Sequence, residues 1–198
     1  MDFVTHIIAQ FLATSFIEII AVLSSLVYVF LAAQGKKSCW YFALISTGIY
    51  TYIFIDVELY LETFLQLFYF GMAFYGILTW NKKSVYKQIK QWPVKYHVVN
   101  IIGSLFLTIL LGYYFSIKVN QDYAYLDAFT TVFSLVATFM VAHKVLENWI
   151  YWIVIDAVSV VLYHLKDLNL SALNMVLFTG LAVLGYIKWK RKFKLETP

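Results

Sequence analysis

Long apolar stretches separated by short polar segments dominate the pattern of this chain. A bilayer core of ~30 Å requires about 20 apolar residues in a helix, and seven stretches approach this length. Neither Pro93 nor Pro198 lies inside a stretch, so each helix can keep the backbone hydrogen bonds that lipid demands. The pattern predicts an all-α membrane protein with spans at Leu12–Ala33, Ser38–Ile55 (the shortest), Tyr60–Trp80, Tyr96–Val119, Ala124–His143, Leu146–Leu165 and Leu170–Trp189.

The composition excludes an ordinary soluble domain. Hydrophobic residues make up 62% of the chain and charged residues only 13%, against about 25% charged in soluble domains. The net charge is +4, but the basic residues lie in short connections between apolar runs, so they indicate membrane orientation and not nucleic-acid binding. The single Cys39 allows no internal disulfide and lacks the neighbours of a metal site. We expect neither a metal nor another cofactor.

The basic residues predict the orientation of the chain. Alternate loops of a seven-span protein lie on opposite sides, and 13 of the 15 lysines and arginines fall on one side, with only Lys118 and Lys166 on the other. By the positive-inside rule the rich side is cytoplasmic. The N-terminus is therefore predicted outside and the C-terminus in the cytoplasm of a cell inner membrane.

The sequence contains an internal repeat. A shift of 109 positions aligns residues 14–80 with residues 123–189 without a gap and gives 12 identities in 67 pairs. The identities include two Trp pairs, 40 with 149 and 80 with 189, and two Gly pairs, 71 with 180 and 76 with 185. We predict two parallel three-helix repeats, about 12–80 and 123–189, joined by a linker helix at about 96–119. Parallel repeats are typical of transporters with a substrate site between the halves. A duplication kept only for packing is the alternative.

The sixth span has the most informative polar stripe. Trp149, Trp152 and Asp156 follow a spacing of i, i+3 and i+7, and Ser159 and Tyr163 continue the same face. An ionised carboxylate costs at least a few kcal/mol inside a bilayer, so Asp156 should face a partner or a wet cavity. Two indoles and a carboxylate predict a cage for a flat cationic ring. Alternatively, the tryptophans are interfacial residues, which leaves Asp156 unexplained.

The third span offers a second stripe, with Glu62, Gln66 and Tyr69 at i, i+4 and i+7. Gln66 needs a hydrogen-bond partner, which is either a substrate or another helix. Asn174 in the seventh span is similar. The repeat-related acids, Glu18 and Asp127, either line an outer vestibule or cap and pair locally, and His143 and His164 lie at span ends. No metalloprotease, nucleophile-elbow or phosphate-loop motif occurs, which argues against an enzyme or an ATP-driven pump.

At the sixth-span stripe the chain resembles the PnuC family of bacterial nicotinamide riboside and vitamin transporters. The resemblance extends over most of the chain. It includes Glu18, the Gln-Gly-Lys-Lys-Ser-Cys-Trp run ending at Trp40, the third-span Glu62, Gln66, Tyr69, Tyr75-Gly76 and Trp80, and the sixth-span Glu147-Asn148-Trp149-Ile150-Tyr151-Trp152 followed by Asp156. The family is similar to the SWEET sugar transporters, whose 3+1+3 arrangement suits the repeat. This chain lacks the Pro-Gln pair of those relatives, which weighs against a sugar substrate.

The resemblance implies facilitated diffusion of an unphosphorylated vitamin that is trapped by cytoplasmic phosphorylation. Trp149 and Trp152 would stack on the ring, Gln66 and Asp156 would bind polar groups, and Glu62, Tyr69, Tyr163, Asn174 and Trp40 complete the candidate site. Nicotinamide riboside is preferred because it is the family's commonest substrate. Thiamine, which also has a cationic ring, is the alternative, and a membrane scaffold without transport is the alternative of another class. A homotrimer is expected by family resemblance.

Overall fold

A computed structural model describes residue 12 and residues 14–56, 60–81 and 88–196. Within these residues all the regular structure is helical, apart from one isolated bridge between Lys90 and Val145. The seven α-helices are α1 (Phe16–Ala33), α2 (Cys39–Asp56), α3 (Tyr60–Asn81), α4 (Val94–Tyr114, continued by a π-helical turn at Phe115–Val119), α5 (Ala124–Ala142), α6 (Asn148–Leu165) and α7 (Asn169–Glu196). The predicted all-helical class is confirmed.

Six of the seven described helices are long and apolar enough to cross a membrane, and α2 is the helix that does not meet this standard. A membrane crossing by α2, the shortest of the predicted spans, stays a prediction. The chain is thus a multi-pass membrane protein by the length and apolar composition of its helices.

The helix ends differ from the predicted span ends for local reasons. Helix α1 begins at Phe16 and not at Leu12, because Ser15 has an extended conformation and its hydroxyl accepts a hydrogen bond from the Glu18 amide at 3.3 Å. Helix α7 extends beyond Trp189 to Glu196, since the lysines and arginine that follow the apolar stretch are good helix formers.

The first of two compact units contains α1 to α3 and the end of α7 from residue 187. Helix α2 packs against both α1 and α3. The indole of Trp189 donates a hydrogen bond to the Ala32 carbonyl at 3.0 Å, and its ring centroid lies 6.1 Å from that of Trp80. The last part of α7 is therefore fixed to the end of α1.

The second unit comprises residues 90–186. Helix α5 packs against α4 and α6. The segment before α4 pairs with the turn between α5 and α6: the Lys90 amide donates to the Lys144 carbonyl at 3.0 Å, and the Leu146 amide donates to the Lys90 carbonyl at 2.8 Å. These bonds hold the chain entering α4 beside the start of α6.

The backbone repeats the 109-residue register of the sequence. Both ends of α2 and α6, and the first residues of α3 and α7, differ by 109 positions. In the turn after α1, Gly35 has a φ of 69° and its amide donates to Ala32 at 2.8 Å; in the turn after α5, Lys144 has a φ of 53° and its amide donates to Val141 at 3.0 Å. The two turns thus share a left-handed residue and a hydrogen bond at equivalent positions, although one residue is glycine and the other lysine.

Candidate functional site

Helix α6 presents one buried face and one exposed face. The polar and aromatic stripe lies on the buried side: Trp149 is 2% exposed, Asp156 is 6% exposed, and Trp152 and Tyr163 are half-buried. The opposite side exposes apolar side chains, namely Ile150, Val154 and Val161. An apolar exposed face suits contact with lipid, and the structure therefore directs the predicted site residues of α6 away from it.

Trp152 rests on an apolar platform. Phe133 and Ala137 of α5 and Ile155 of α6 form a buried cluster, and Trp152 packs against it together with Tyr151. The indole is supported by this cluster while part of its surface remains accessible. A rigid aromatic ring held in this way can stack on a planar ligand without first losing much conformational freedom.

Asp156 is the unusual group of the stripe. It makes no hydrogen bond or ion pair with any residue in the described part of the chain, although it is 6% exposed. Buried charges are normally paired, because removing an ion from water costs several kcal/mol. A carboxylate without a protein partner at such a position is suited to binding a cationic or hydrogen-donating ligand.

Trp149 and Trp40 have equivalent surroundings in the two units. A Cβ added to Gly185 would lie 2.6 Å from carbons of the Trp149 indole, and a Cβ added to Gly76 would collide with the Trp40 indole. Both tryptophans are almost fully buried. Stacking of either indole on a substrate therefore requires a conformation in which that ring becomes accessible.

Trp40 also packs against other aromatic rings of the first unit. Its ring centroid lies 5.5 Å from that of Trp80 in an edge-on arrangement and 5.7 Å from that of Tyr28. Its indole Nε1 is buried without a hydrogen-bond partner among the described residues. These contacts describe a packed core position.

The remaining predicted site residues lie on other helices. On α3, Glu62 is exposed, and Gln66 and Tyr69 are half-buried in the first unit. Asn174 is half-buried on α7 within the second unit. The structure thus has Trp149, Trp152, Asp156 and Tyr163 on one face of α6.

Glu18 and Asp127, the acids near the start of the two repeats, make different contacts. Asp127 accepts hydrogen bonds from Gln121 and Lys166, both at 2.5 Å, and so ties the start of α5 to the turn after α6. The amide of Glu18 is capped by Ser15. Local pairing, one of the two alternatives for these acids, is observed for Asp127.

A second polar cluster was not predicted from the sequence. His97 of α4 lies 3.1 Å from the Tyr151 hydroxyl and 3.9 Å from a Glu147 carboxylate oxygen, and that oxygen accepts a hydrogen bond from the Trp92 amide at 3.3 Å. The residues from α4 and its preceding segment are separated from those of α6 by at least 50 positions in the sequence. The only sequence signal was a histidine near the start of an apolar span, which by itself indicates no partner.

The comparisons with known proteins agree with this picture. The family model described as "Nicotinamide mononucleotide transporter" matches residues 15–191. The chain is 23% identical to the nicotinamide riboside transporter PnuC of Escherichia coli (strain K12), covering 88% of this chain and 85% of that protein. It is 25% identical to the nicotinamide riboside transporter PnuC of Neisseria mucosa, covering 91% of this chain and 74% of that protein.

The fold also has a solved counterpart. The crystal structure of the vitamin B3 transporter PnuC matches with a TM-score of 0.76 at 22% sequence identity, covering 98% of this chain and 91% of that one. The predictions of the PnuC family and of a transporter rather than an enzyme are confirmed by these matches. The chain belongs to the nicotinamide mononucleotide transporter family, which includes the PnuC transporters.

Proposed function

We propose that the chain imports nicotinamide riboside across the inner membrane by facilitated diffusion. The observation that carries the proposal is the buried Asp156 carboxylate, which has no protein partner in the described residues and lies one helix turn from the supported Trp152 indole. Nicotinamide riboside has a flat, positively charged ring. Trp152 would stack on the ring face, and Asp156 would balance its charge or accept a bond from a ribose hydroxyl.

The same stripe favours the riboside over its phosphorylated form. The α6 stripe contains no lysine or arginine, whereas proteins bind phosphate with Arg, Lys or clustered backbone amides. A buried carboxylate would also repel the phosphate of the mononucleotide. Import of the riboside followed by phosphorylation in the cytoplasm then traps the product, because the charged phosphate is rejected by the site.

The other predicted site residues differ in burial, and we propose a different role for each group. Gln66, Tyr69, Tyr163 and Asn174 are half-buried polar side chains suited to hydrogen bonds with the carboxamide or the ribose. Glu62 is exposed and would attract a cation to the entrance. Trp149 and Trp40, packed on glycines, would contact the substrate after a conformational change.

We further propose that the chain consists of two parallel three-helix repeats joined by α4. In this arrangement α2 crosses the membrane as the other six helices do. The arrangement is supported by the matched bounds of α2 and α6 and by the equivalent tryptophan–glycine contacts. The equivalent faces of α2 and α6 differ in chemistry, because Ala43 and Thr47 of α2 occupy the positions of Trp152 and Asp156 in α6. The carboxylate therefore comes from the second repeat alone. The homotrimer expected from the family resemblance stays a prediction.

The experiment is an uptake assay with purified protein in liposomes. Labelled nicotinamide riboside should equilibrate across the membrane without ATP or an ion gradient, while the mononucleotide should not. Thiamine is the second compound, since its cationic ring also suits Trp152 and Asp156. Equilibration of thiamine alone would reassign the substrate, and flux of neither compound, together with specific capture of a partner protein, would favour a scaffold.

A further inference from the structure

A polar cluster joins the start of α4 to the start of α6 within the second unit. His97 is one turn into α4, Glu147 is the N-cap of α6, and Tyr151 lies one turn further along α6. The His97 Nδ1 atom is 3.1 Å from the Tyr151 hydroxyl, and its Nε2 atom is 3.9 Å from the Glu147 carboxylate. The backbone amide of Trp92 donates a hydrogen bond to the same carboxylate oxygen, and the Trp92 ring centroid lies 5.8 Å from that of His97.

The protonation state of His97 changes this cluster. The Nε2 atom is buried without a hydrogen-bond partner among the described residues, and it faces the Glu147 carboxylate. In the Nδ1–H tautomer a bare lone pair at Nε2 would face a negative charge, whereas in the Nε2–H tautomer this nitrogen donates towards the carboxylate and Nδ1 accepts from the Tyr151 hydroxyl. The imidazolium has protons on both nitrogens and a full positive charge, so it can donate to Tyr151 and is attracted to the Glu147 carboxylate more strongly than either neutral tautomer. Protonation of His97 would therefore strengthen the connection between α4 and α6.

The cluster is adjacent to the candidate substrate stripe. Tyr151 packs against the same apolar cluster as Trp152, with its ring centroid 6.4 Å from that of Phe133. Glu147 is two residues before Trp149 on the same helix. A shift of α6 relative to α4 would thus move Trp152 and Asp156 as well.

We propose that His97 is a positioning residue which, through Tyr151 and Glu147, makes substrate binding by α6 depend on pH. The proposal rests on the proposed function, in which α6 holds the substrate. Among the described residues, the titratable side chains in contact with His97 are Glu147 and Tyr151 of α6. On α4 itself, Lys95 lies over the Tyr96 ring at 5.3 Å, and α5 contributes apolar rings to this region.

The neighbouring turn after α5 contains Lys144 and His143. Burial lowers the pKa of His143, the Lys90 charge adds to this effect, and a hydrogen bond with the Phe139 carbonyl opposes it. A lowered pKa keeps that imidazole neutral over most of the range in which histidine ordinarily titrates. His143 is therefore the weaker candidate for a pH response at this end of the unit.

The test is calorimetric binding of nicotinamide riboside to wild-type protein and to His97→Gln at several pH values from about 5.5 to 8. The ratio of the two dissociation constants cancels titration of Asp156, which both proteins contain. We expect the advantage of the wild type to be about fivefold larger at the acidic end, the upper range for an ion pair that is not fully buried. Glu147→Gln should remove the same pH dependence. His164→Gln is the matched control, because His164 bonds to Asn169 beyond the other end of α6, and it should behave as the wild type.

A ratio that stays constant with pH would overturn the proposal, because a merely structural histidine would weaken binding equally at every pH. Absence of binding by the wild type at every pH would instead refute the proposed substrate. Melting temperatures of the same proteins, measured without ligand over the same pH series, separate the two failures. The melting temperature of the wild type should exceed that of His97→Gln by an amount that grows towards acidic pH. A melting-temperature difference that does not change with pH would overturn the positioning role, whatever the substrate is.

Discussion

The Trp152 indole is partly accessible, whereas that of Trp149 is almost fully buried. The rest of the Trp152 ring packs against the buried apolar cluster of α5 and α6. Stacking of a base on an aromatic side chain is worth about 1–3 kcal/mol. Trp152→Ala should therefore weaken nicotinamide riboside binding by roughly 5- to 150-fold, as measured by calorimetry. Val154→Ala, on the exposed apolar side of α6, is the control and should leave the affinity unchanged. Near-wild-type affinity of the Trp152 variant would show that the ring does not stack on Trp152.

Asp156 gives the sharper residue-scale prediction because it is buried without a protein partner in the described chain. Asp156→Asn keeps the shape and removes the charge. Interactions with a charged group contribute about 1.5–3 kcal/mol, so binding of the cationic riboside should fall by roughly 10- to 150-fold, and a neutral nucleoside should be affected less. The variant should also melt at about the same temperature as the wild type, since Asp156 makes no hydrogen bond or ion pair with the described residues that the substitution could remove. A lower melting temperature with unchanged affinity would instead make Asp156 a structural residue.

The sequence was sufficient to place the α6 stripe on one helix face but not to rank its members by burial. Helical spacing places Trp149, Trp152 and Asp156 on one face, and the structure has them on the buried side. Periodicity contains no information about the α7 glycine that packs on Trp149, nor does it reveal that Asp156 has no partner among the described residues. Both facts depend on which other helix packs against that face, and so does the contact between His97 and Tyr151.

At the scale of the helices, the tryptophan–glycine contacts should limit what each glycine tolerates. A Cβ at Gly185 would lie 2.6 Å from the rigid Trp149 indole, whereas a Cβ at Gly180 meets nothing within 4 Å. Overpacking of a core typically costs about 1–3 kcal/mol, and 1 kcal/mol corresponds to about 2–4 °C in a protein of this size. Gly185→Ala should therefore melt several degrees below the wild type, and Gly180→Ala should not.

The first repeat provides the same matched pair. Gly76 is covered by Trp40, and Gly71 has no neighbour within 4 Å. Gly76→Ala should destabilise the protein while Gly71→Ala leaves its melting temperature unchanged or raises it, because alanine is the better helix former. If the variants at the glycines beside a tryptophan melt at the same temperature as the variants at the glycines without neighbours, close packing at the two tryptophans does not contribute to stability.

The helices themselves were largely predictable because an apolar stretch of about 20 residues has few structural alternatives in a membrane. Where a boundary was missed, a local interaction decided it: Ser15 caps α1, and the basic run after Trp189 stays helical. The long polar separation between α3 and α4 gave no hint that Lys90 bonds to the turn after α5. Such a bridge between distant segments depends on tertiary packing, not on local propensity.

For the molecule as a whole, orientation is the prediction that the distribution of charge makes most directly. The 13-to-2 division of lysines and arginines places the C-terminal end of α7 in the cytoplasm. The only native cysteine, Cys39, is fully buried, so a cysteine introduced at an exposed position can be labelled selectively. Asp122→Cys, in the exposed connection before α5, should react with a membrane-impermeant maleimide in intact spheroplasts. Arg191→Cys, exposed on α7, should react only after the membrane is permeabilised, and the reverse pattern would invert the topology together with the proposed direction of trapping.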